Sequence, residues 1–305
     1  DKLLCNDERQ RAGVLDLRYQ EVREYLLAVY IKAVREWDLD GLKLDFIDEF
    51  YMREETPVWR AGMDYRDIQE ALDVFMTAVR ETLRREKESL LIEFRQRYIG
   101  PNMRRYGNMF RVADCPCSPV TNRVGCVDLR LLCGDSAVHW DMLMWNRGER
   151  PEEAAMQVLS CLFGVPQISV RLADIDDGMA EMLRFWLNFM RQHRTLLQMT
   201  VIRAKEPENL YPEVSVENET EEILVHYSAG RVIRPAKGKK ICSCVNALHA
   251  QEQILILDPV RPVTITVKDC RGNTVESMEL NGTDNRIQDL IRLSMPACGL
   301  CELRW

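Results

Sequence analysis

The chain has 305 residues, 46% hydrophobic and 29% charged, the balance of a globular protein. A formal net charge of −7, with no basic patch or RNP-like motif, argues against nucleic acid as a partner. No apolar run reaches the roughly 18 residues of a membrane span, so no membrane partner is expected. The eleven cysteines are an odd number scattered along a long chain. That pattern fits reduced thiols better than a disulfide framework, and a cytoplasmic location is the expectation. The close pairs Cys115/Cys117, Cys242/Cys244 and Cys298/Cys301 invite a zinc reading. C-x-C is an unusual spacing for structural zinc, however, and the first two pairs fall in different predicted domains.

Residues 16–37 place Val22, Leu26, Val29, Tyr30, Ala33 and Trp37 at helical spacing. After a tight Asp40-Gly41 turn, 41–47 reads as a strand. An acidic, aromatic loop containing Trp59 runs from 48 to 64, and a second long helix spans 65–88. Strands at 90–94 and 108–113 flank a loop over 95–105. Helix 119–133, strand 136–141, helix 151–163, strand 164–170 and helix 178–193 follow. This alternation predicts a parallel sheet with helices outside. From about residue 206 the pattern becomes short strands: 222–227, 231–234, 240–247, 253–257, 263–269, 274–280, 286–293 and 299–304. Gly272-Asn273 and Asn281-Gly282 are turn signals, and strands at this spacing predict an all-β antiparallel sandwich. The expected organisation is an α/β domain over 1–205 and a β-sandwich domain over 206–305.

The most unusual stretch is 41–48, Gly-Leu-Lys-Leu-Asp-Phe-Ile-Asp. A charged pair inside an apolar strand is costly to bury. In a strand, Lys43 and Asp45 share one side while Leu42, Leu44 and Phe46 take the other. At the carboxyl end of a parallel barrel strand, that shared side opens onto an active site. A lysine beside an aspartate there keeps the carboxylate ionised, as a nucleophile requires. Glu93, Arg95 and Arg97 share one face of 93–97, and the sequence leaves open whether Arg95 or Gln96 turns inward. His139 and Asp141 share a face at the end of strand 136–141, His139 being either a core histidine or a contact to Asp114 or a ligand. Trp140 and Trp145 read first as core, and Asp48 and Glu49 as solvated.

Five segments together resemble the retaining α-galactosidases of glycoside hydrolase family 36. They are 15–26 (LDLRYQEVREYL), 41–48 (GLKLDFID), 111–116 (RVADCP), 138–145 (VHWDMLMW) and 165–172 (VPQISVRL). The resemblance covers essentially the whole chain and rests on the order of the set. It implies that the five predicted strands are strands four to eight of a (β/α)8 TIM barrel, with the first three and an amino-terminal β domain upstream. It implies Asp45 as nucleophile and Asp114 as acid/base, on strands that bring both to one mouth. Where better-known members carry Ser-Asp-Asp-Thr-Asp, this chain has the single Asp114. Lys43, Arg95, Arg111, His139 and Asp141 are the expected substrate-binding residues. The implied reaction removes terminal α-linked galactose from an α-galactoside or oligosaccharide by double displacement, with no metal or organic cofactor. Related readings are an α-N-acetylgalactosaminidase, galactosyl transfer, or an inactive fragment lacking the first barrel strands. A homo-oligomer is expected by analogy with family members.

Overall fold

A computed structural model describes residues 2–8, 11–95, 98–257, 261–281 and 289–305. Predicted features at Gln96, Arg97 and Gly282, and the start of predicted strand 286–293, lie outside the described residues. The fold is mixed α/β and divides into two units, Asp1–Arg111 and Val112–Trp305.

The first unit opens with an antiparallel hairpin, β1 (Leu3–Asp7) and β2 (Ala12–Leu15), which sequence pattern alone does not predict. Helix α1 (Gln20–Glu36) leads into β3 (Gly41–Lys43), α2 (Ile68–Glu86), β4 (Leu91–Arg95) and β5 (Met109–Arg111). The three strands pair in parallel, with Lys43 opposite Glu93 and Arg95 opposite Arg111. Helix α2 starts where the Asp67 side chain accepts the Gln69 amide at 2.9 Å. It buries Ile68, Ala71, Phe75, Met76, Val79 and Leu83, a stripe at three- and four-residue spacing. Helix α1 lies against α2, with Tyr30 and Phe75 rings 6.1 Å apart.

One expectation for this unit is corrected. The strand predicted over 41–47 ends at Lys43, because Phe46 adopts a left-handed φ of 59° and the chain turns into a 3₁₀ segment at Ile47–Glu49. Between β4 and β5, where a loop was expected, the chain forms a 3₁₀ turn, Pro101–Arg105. Gly107 is required after that turn: a Cβ there would stand 2.5 Å from the Phe94 ring and 2.7 Å from the Ile92 carbonyl oxygen.

The second unit begins with α3 (Pro119–Leu132), β6 (Ala137–His139), α4 (Pro151–Ser160), α5 (Asp177–Gln192) and the short α6 (Arg194–Met199). The strand predicted over 164–170 is reduced to two parallel bridges, His139 to Val165 and Leu143 to Ile168. Pro166, which has no amide hydrogen, interrupts any ladder between them.

Ten further strands follow: β7 (Arg203–Lys205), β8 (Glu213–Glu217), β9 (Glu221–His226), β10 (Val232–Ile233), β11 (Ile241–Asn246), β12 (Glu252–Leu257), β13 (Val263–Lys268), β14 (Thr274–Leu280), β15 (Asp289–Ser294) and β16 (Leu300–Arg304). Seven form one sheet in the order β14-β13-β16-β11-β9-β8-β7, and three form another, β10-β12-β15. One hydrophobic core draws on both sheets, with Leu224, Cys242, Cys244, Ile265 and Leu303 from the larger and Ile233, Leu255 and Leu293 from the smaller. The expected purely antiparallel pairing is corrected at two places, since β9/β11 and β10/β12 run parallel. Residues 227–240 and 234–251 are long enough to carry the chain back before it re-enters its sheet.

Candidate functional site at the carboxyl ends of the parallel strands

In β3–β5 the register puts Lys43, Glu93, Arg95 and Arg111 on one face. Ile92, Phe94 and Phe110 take the other and are buried. An apolar face for packing and a charged face at the strand ends is the division that a parallel-strand active site requires.

Asp45 follows β3 directly. Three donors converge on its Oδ1: Arg95 Nε, the Phe46 amide at 2.9 Å and the Tyr98 hydroxyl at 3.0 Å. Among the described residues, Oδ2 accepts no hydrogen bond. Burial works to raise the Asp45 carboxyl, but Arg95, the Phe46 amide and Tyr98 outweigh it and hold the group below its usual range. Burial, and then the neighbouring Asp45 charge, push the Tyr98 phenol far above its usual value, so it stays a protonated donor. The Asp45 side chain is 30% exposed. The result is an ionised carboxylate, oriented through one oxygen.

The cation on Asp45 is therefore Arg95, and Lys43 does not supply it as its spacing suggested. Lys43 Nζ instead lies 4.0 Å from Glu93 Oε1, as does Arg111 Nε, so Glu93 sits between two cations. Arg95 also lies over the Phe46 ring, 5.2 Å from its centre.

A second feature escaped the sequence reading. Asp16 and Arg18 form a wholly buried pair, with Arg18 Nε 2.9 Å from Oδ1 and Nη2 2.7 Å from Oδ2. Arg18 Nη2 also donates to the Pro57 carbonyl at 2.8 Å, and its own carbonyl accepts the Asp64 amide at 2.9 Å. The pair thus anchors both sides of the loop that follows β3 and Asp45. That loop carries the partly exposed Trp59, whose indole N–H donates to the Met63 carbonyl at 3.1 Å. The only sequence signal was Asp-x-Arg between the apolar residues Leu15, Leu17 and Tyr19.

In the second unit Asp114 sits on an exposed bend. The next residue, Cys115, donates its amide to Asp141 Oδ2. Asp141 is fully buried, and its amide hydrogen is held by Asn122 Oδ1 at 3.3 Å. Asp141, expected to contact substrate, lies enclosed beside the segment that carries Asp114. His139 is buried in β6, and its carbonyl accepts the Val112 amide at 3.1 Å. Trp140 is buried in the core. The structure thus brings Asp45 together with Arg95 and Tyr98, Glu93 with Lys43 and Arg111, and the Asp114 segment with Asp141. Among the described residues, no group of three or more His, Cys, Asp or Glu could hold a metal ion.

No protein-family model matches the chain, and no curated protein matches it. Solved structures do. The α-galactosidase AgaA of Geobacillus stearothermophilus, a glycoside hydrolase family 36 enzyme, is 16% identical at a TM-score of 0.58, covering 100% of this chain and 41% of its own. The α-galactosidase of Lactobacillus brevis is 12% identical at a TM-score of 0.58, covering 100% of this chain and 42% of its own. An α-amylase of Geobacillus thermoleovorans, complexed with acarbose, is 12% identical at a TM-score of 0.53, covering 97% of this chain and 67% of its own. The chain therefore spans about two fifths of the length of the galactosidases it resembles. Its mixed α/β architecture and large β-sheet region share the fold of the carboxyl-terminal part of the family 36 α-galactosidases.

Proposed function

We propose that this chain carries the two catalytic carboxylates of a retaining glycosidase acting on α-galactosides. The observation that supports it best is Asp45: an ionised carboxylate at the carboxyl end of a parallel strand, held through Oδ1 by Arg95, Tyr98 and the Phe46 amide. Oδ2 attacks the anomeric carbon, and a glycosyl–enzyme ester forms as the glycosidic bond breaks. Asp114, in its protonated form, gives its proton to the departing oxygen. It then takes a proton from water as that water attacks the same carbon and releases Asp45. Lys43, Arg95, Arg111 and His139 contribute to substrate binding, and Asp141 holds the Asp114 segment. In this reading the parallel strands belong to a TIM barrel and the two packed sheets are the accompanying sandwich. An oligosaccharide substrate is in keeping with AgaA variants, each 15% identical to this chain, whose structures hold raffinose and stachyose.

The test is hydrolysis of a nitrophenyl α-galactoside by the protein as its gene encodes it, beside Asp45→Ala, with and without azide. The expected result is activity in wild type, a loss of at least about 10³-fold in the variant, and partial recovery with azide as galactosyl azide. Undiminished activity in Asp45→Ala would remove Asp45 as nucleophile. Inactive wild type would remove the galactosidase reading and leave the fold standing.

A further inference from the structure

The turn Pro101–Arg105 that joins β4 to β5 stands where parallel strands usually have a full crossover helix. A turn covers less of α2 than a helix would. Between that turn and α2 lies a groove of about 230 Å³ lined by Thr77, Arg80, Glu81, Arg84 and Arg105. Arg80, Glu81 and Arg84 lie three, four and seven residues after Thr77 and so share one face of the helix with it.

Two of the basic groups are held in place by the fold. Arg80 Nη1 donates to the Arg105 carbonyl at 2.7 Å, tying the helix to the turn. The Arg105 guanidinium lies 3.4 Å from Asp73 and over the Tyr106 ring, 5.6 Å from its centre. Asp73 also accepts the Tyr106 hydroxyl, so its charge is already shared. Arg84 has no hydrogen bond or ion pair among the described residues. Glu81 is the one carboxylate in the wall, and it is exposed. Three arginines thus line a space with one carboxylate in its lining, on a chain whose net charge is −7. Arg80 and Arg84, four apart on a helix, repel one another unless an anion lies between them.

The planar fork of arginine matches the oxygens of phosphate and sulfate, to which it donates paired hydrogen bonds. A water occupies about 30 Å³ of liquid, so the groove has room for such a group and for part of the molecule that bears it. We infer that this groove binds the oxyanion group of a phosphorylated or sulfated small molecule, held by Arg80, Arg84 and Arg105, with the Thr77 hydroxyl as a further donor. The inference does not depend on the glycosidase reading.

The test titrates the full-length protein with inorganic phosphate, inorganic sulfate and a hexose 6-phosphate. Binding is followed by ³¹P line broadening for the phosphates and by the thermal midpoint for all three. A ligand at ten times its Kd should raise the midpoint by about 2–4 °C. Arg84→Gln and Arg105→Gln should each weaken binding by about tenfold, the loss of one charge-assisted hydrogen-bonding group. Arg234→Gln, on the exposed surface of the other unit, should leave binding unchanged. Tighter binding of the ester than of the free ions assigns an esterified ligand, and equal binding of all three assigns a free ion; both keep the site. Failure of all three to bind wild type at millimolar concentration overturns it, as does undiminished binding by Arg84→Gln and Arg105→Gln. Circular dichroism of the variants checks that they remain folded.

Discussion

The parallel strands β3–β5 and the sheets β7–β16 treat polar side chains in opposite ways. At the ends of β3–β5, Lys43 and Asp45 stay partly open to solvent, and Asp45 presents one oxygen with no hydrogen-bond donor among the described residues. In the sheets, His226, Gln253 and Asn246 are buried and linked in series. His226 Nδ1 lies 3.4 Å from Gln253 Oε1, Gln253 Nε2 donates to Asn246 Oδ1 at 3.1 Å, and Asn246 Nδ2 donates to the carbonyls of Ala250 and Pro296. Buried polar groups that satisfy one another specify a packing. Asp45 has one oxygen held by three donors and the other without a donor among the described residues. The difference separates the site of the proposed chemistry from the structural core.

That contrast is open to attack by substitution, and the largest effect belongs to Asp45→Ala, which should abolish hydrolysis while sparing the fold. The converse is Ile265→Ala in the core shared by the two sheets. Ile265 is fully buried, so its truncation should cost about 2–5 kcal/mol in urea unfolding. Any surviving folded protein should keep its kcat; a selective loss of kcat at full stability would break the division.

A smaller effect is expected at Glu213. His226 beside it, helped by Lys205 and opposed by burial, lowers its carboxyl to about 2. The folded value lies below the unfolded one, so this stabilisation is fully present above the ordinary glutamate value of about 4.3 and is lost as pH falls toward the folded one. Glu213→Gln should therefore remove on the order of 2 kcal/mol at neutral pH and flatten the pH dependence of stability across that window. Urea midpoints measured from pH 2 to 7 check it.

Arg95→Gln sharpens the other side of the comparison. The Asp45 carboxyl is held low by Arg95 and its companions against burial. Losing that cation raises it, and the acid limb of the kcat/KM profile should move to higher pH. An unmoved limb would mean that Arg95 does not control the ionisation of Asp45. The smallest perturbation is chemical. Cys117 is the one exposed thiol, whereas Cys126 and Cys301 are buried, and burial pushes each up to about 12. A thiol reagent should modify one fast site in the native protein, and Cys117→Ser should abolish it with no change in stability beyond a few tenths of a kcal/mol.

Local pattern made much of the architecture readable. The stripe of α2 and the alternating strands β12 and β13 follow spacing rules that act within a dozen residues. The hairpin β1/β2 and strands β7 and β8 were not found, because short strands with mixed faces become strands only through their partners. The site divides in the same way. Asp45 stood out as a charge in an apolar run. Arg95 and Tyr98, its actual partners, lie 50 and 53 residues further along the chain.

Composition and periodicity by themselves determined a chain that alternates helix and strand before it turns to short strands, and placed an aspartate where parallel strands end. Hydrophobic spacing encodes which face each element buries, and that information is local. Tertiary structure alone decided that Arg95 rather than Lys43 meets Asp45, that Asp141 is enclosed beneath the Asp114 segment, and that Asp16 and Arg18 anchor the loop beside the site. Those outcomes depend on which side chains, carbonyls and amides approach from distant segments. A charged side chain takes whichever partner the packed backbone brings within hydrogen-bond distance, and spacing along the chain does not specify that partner.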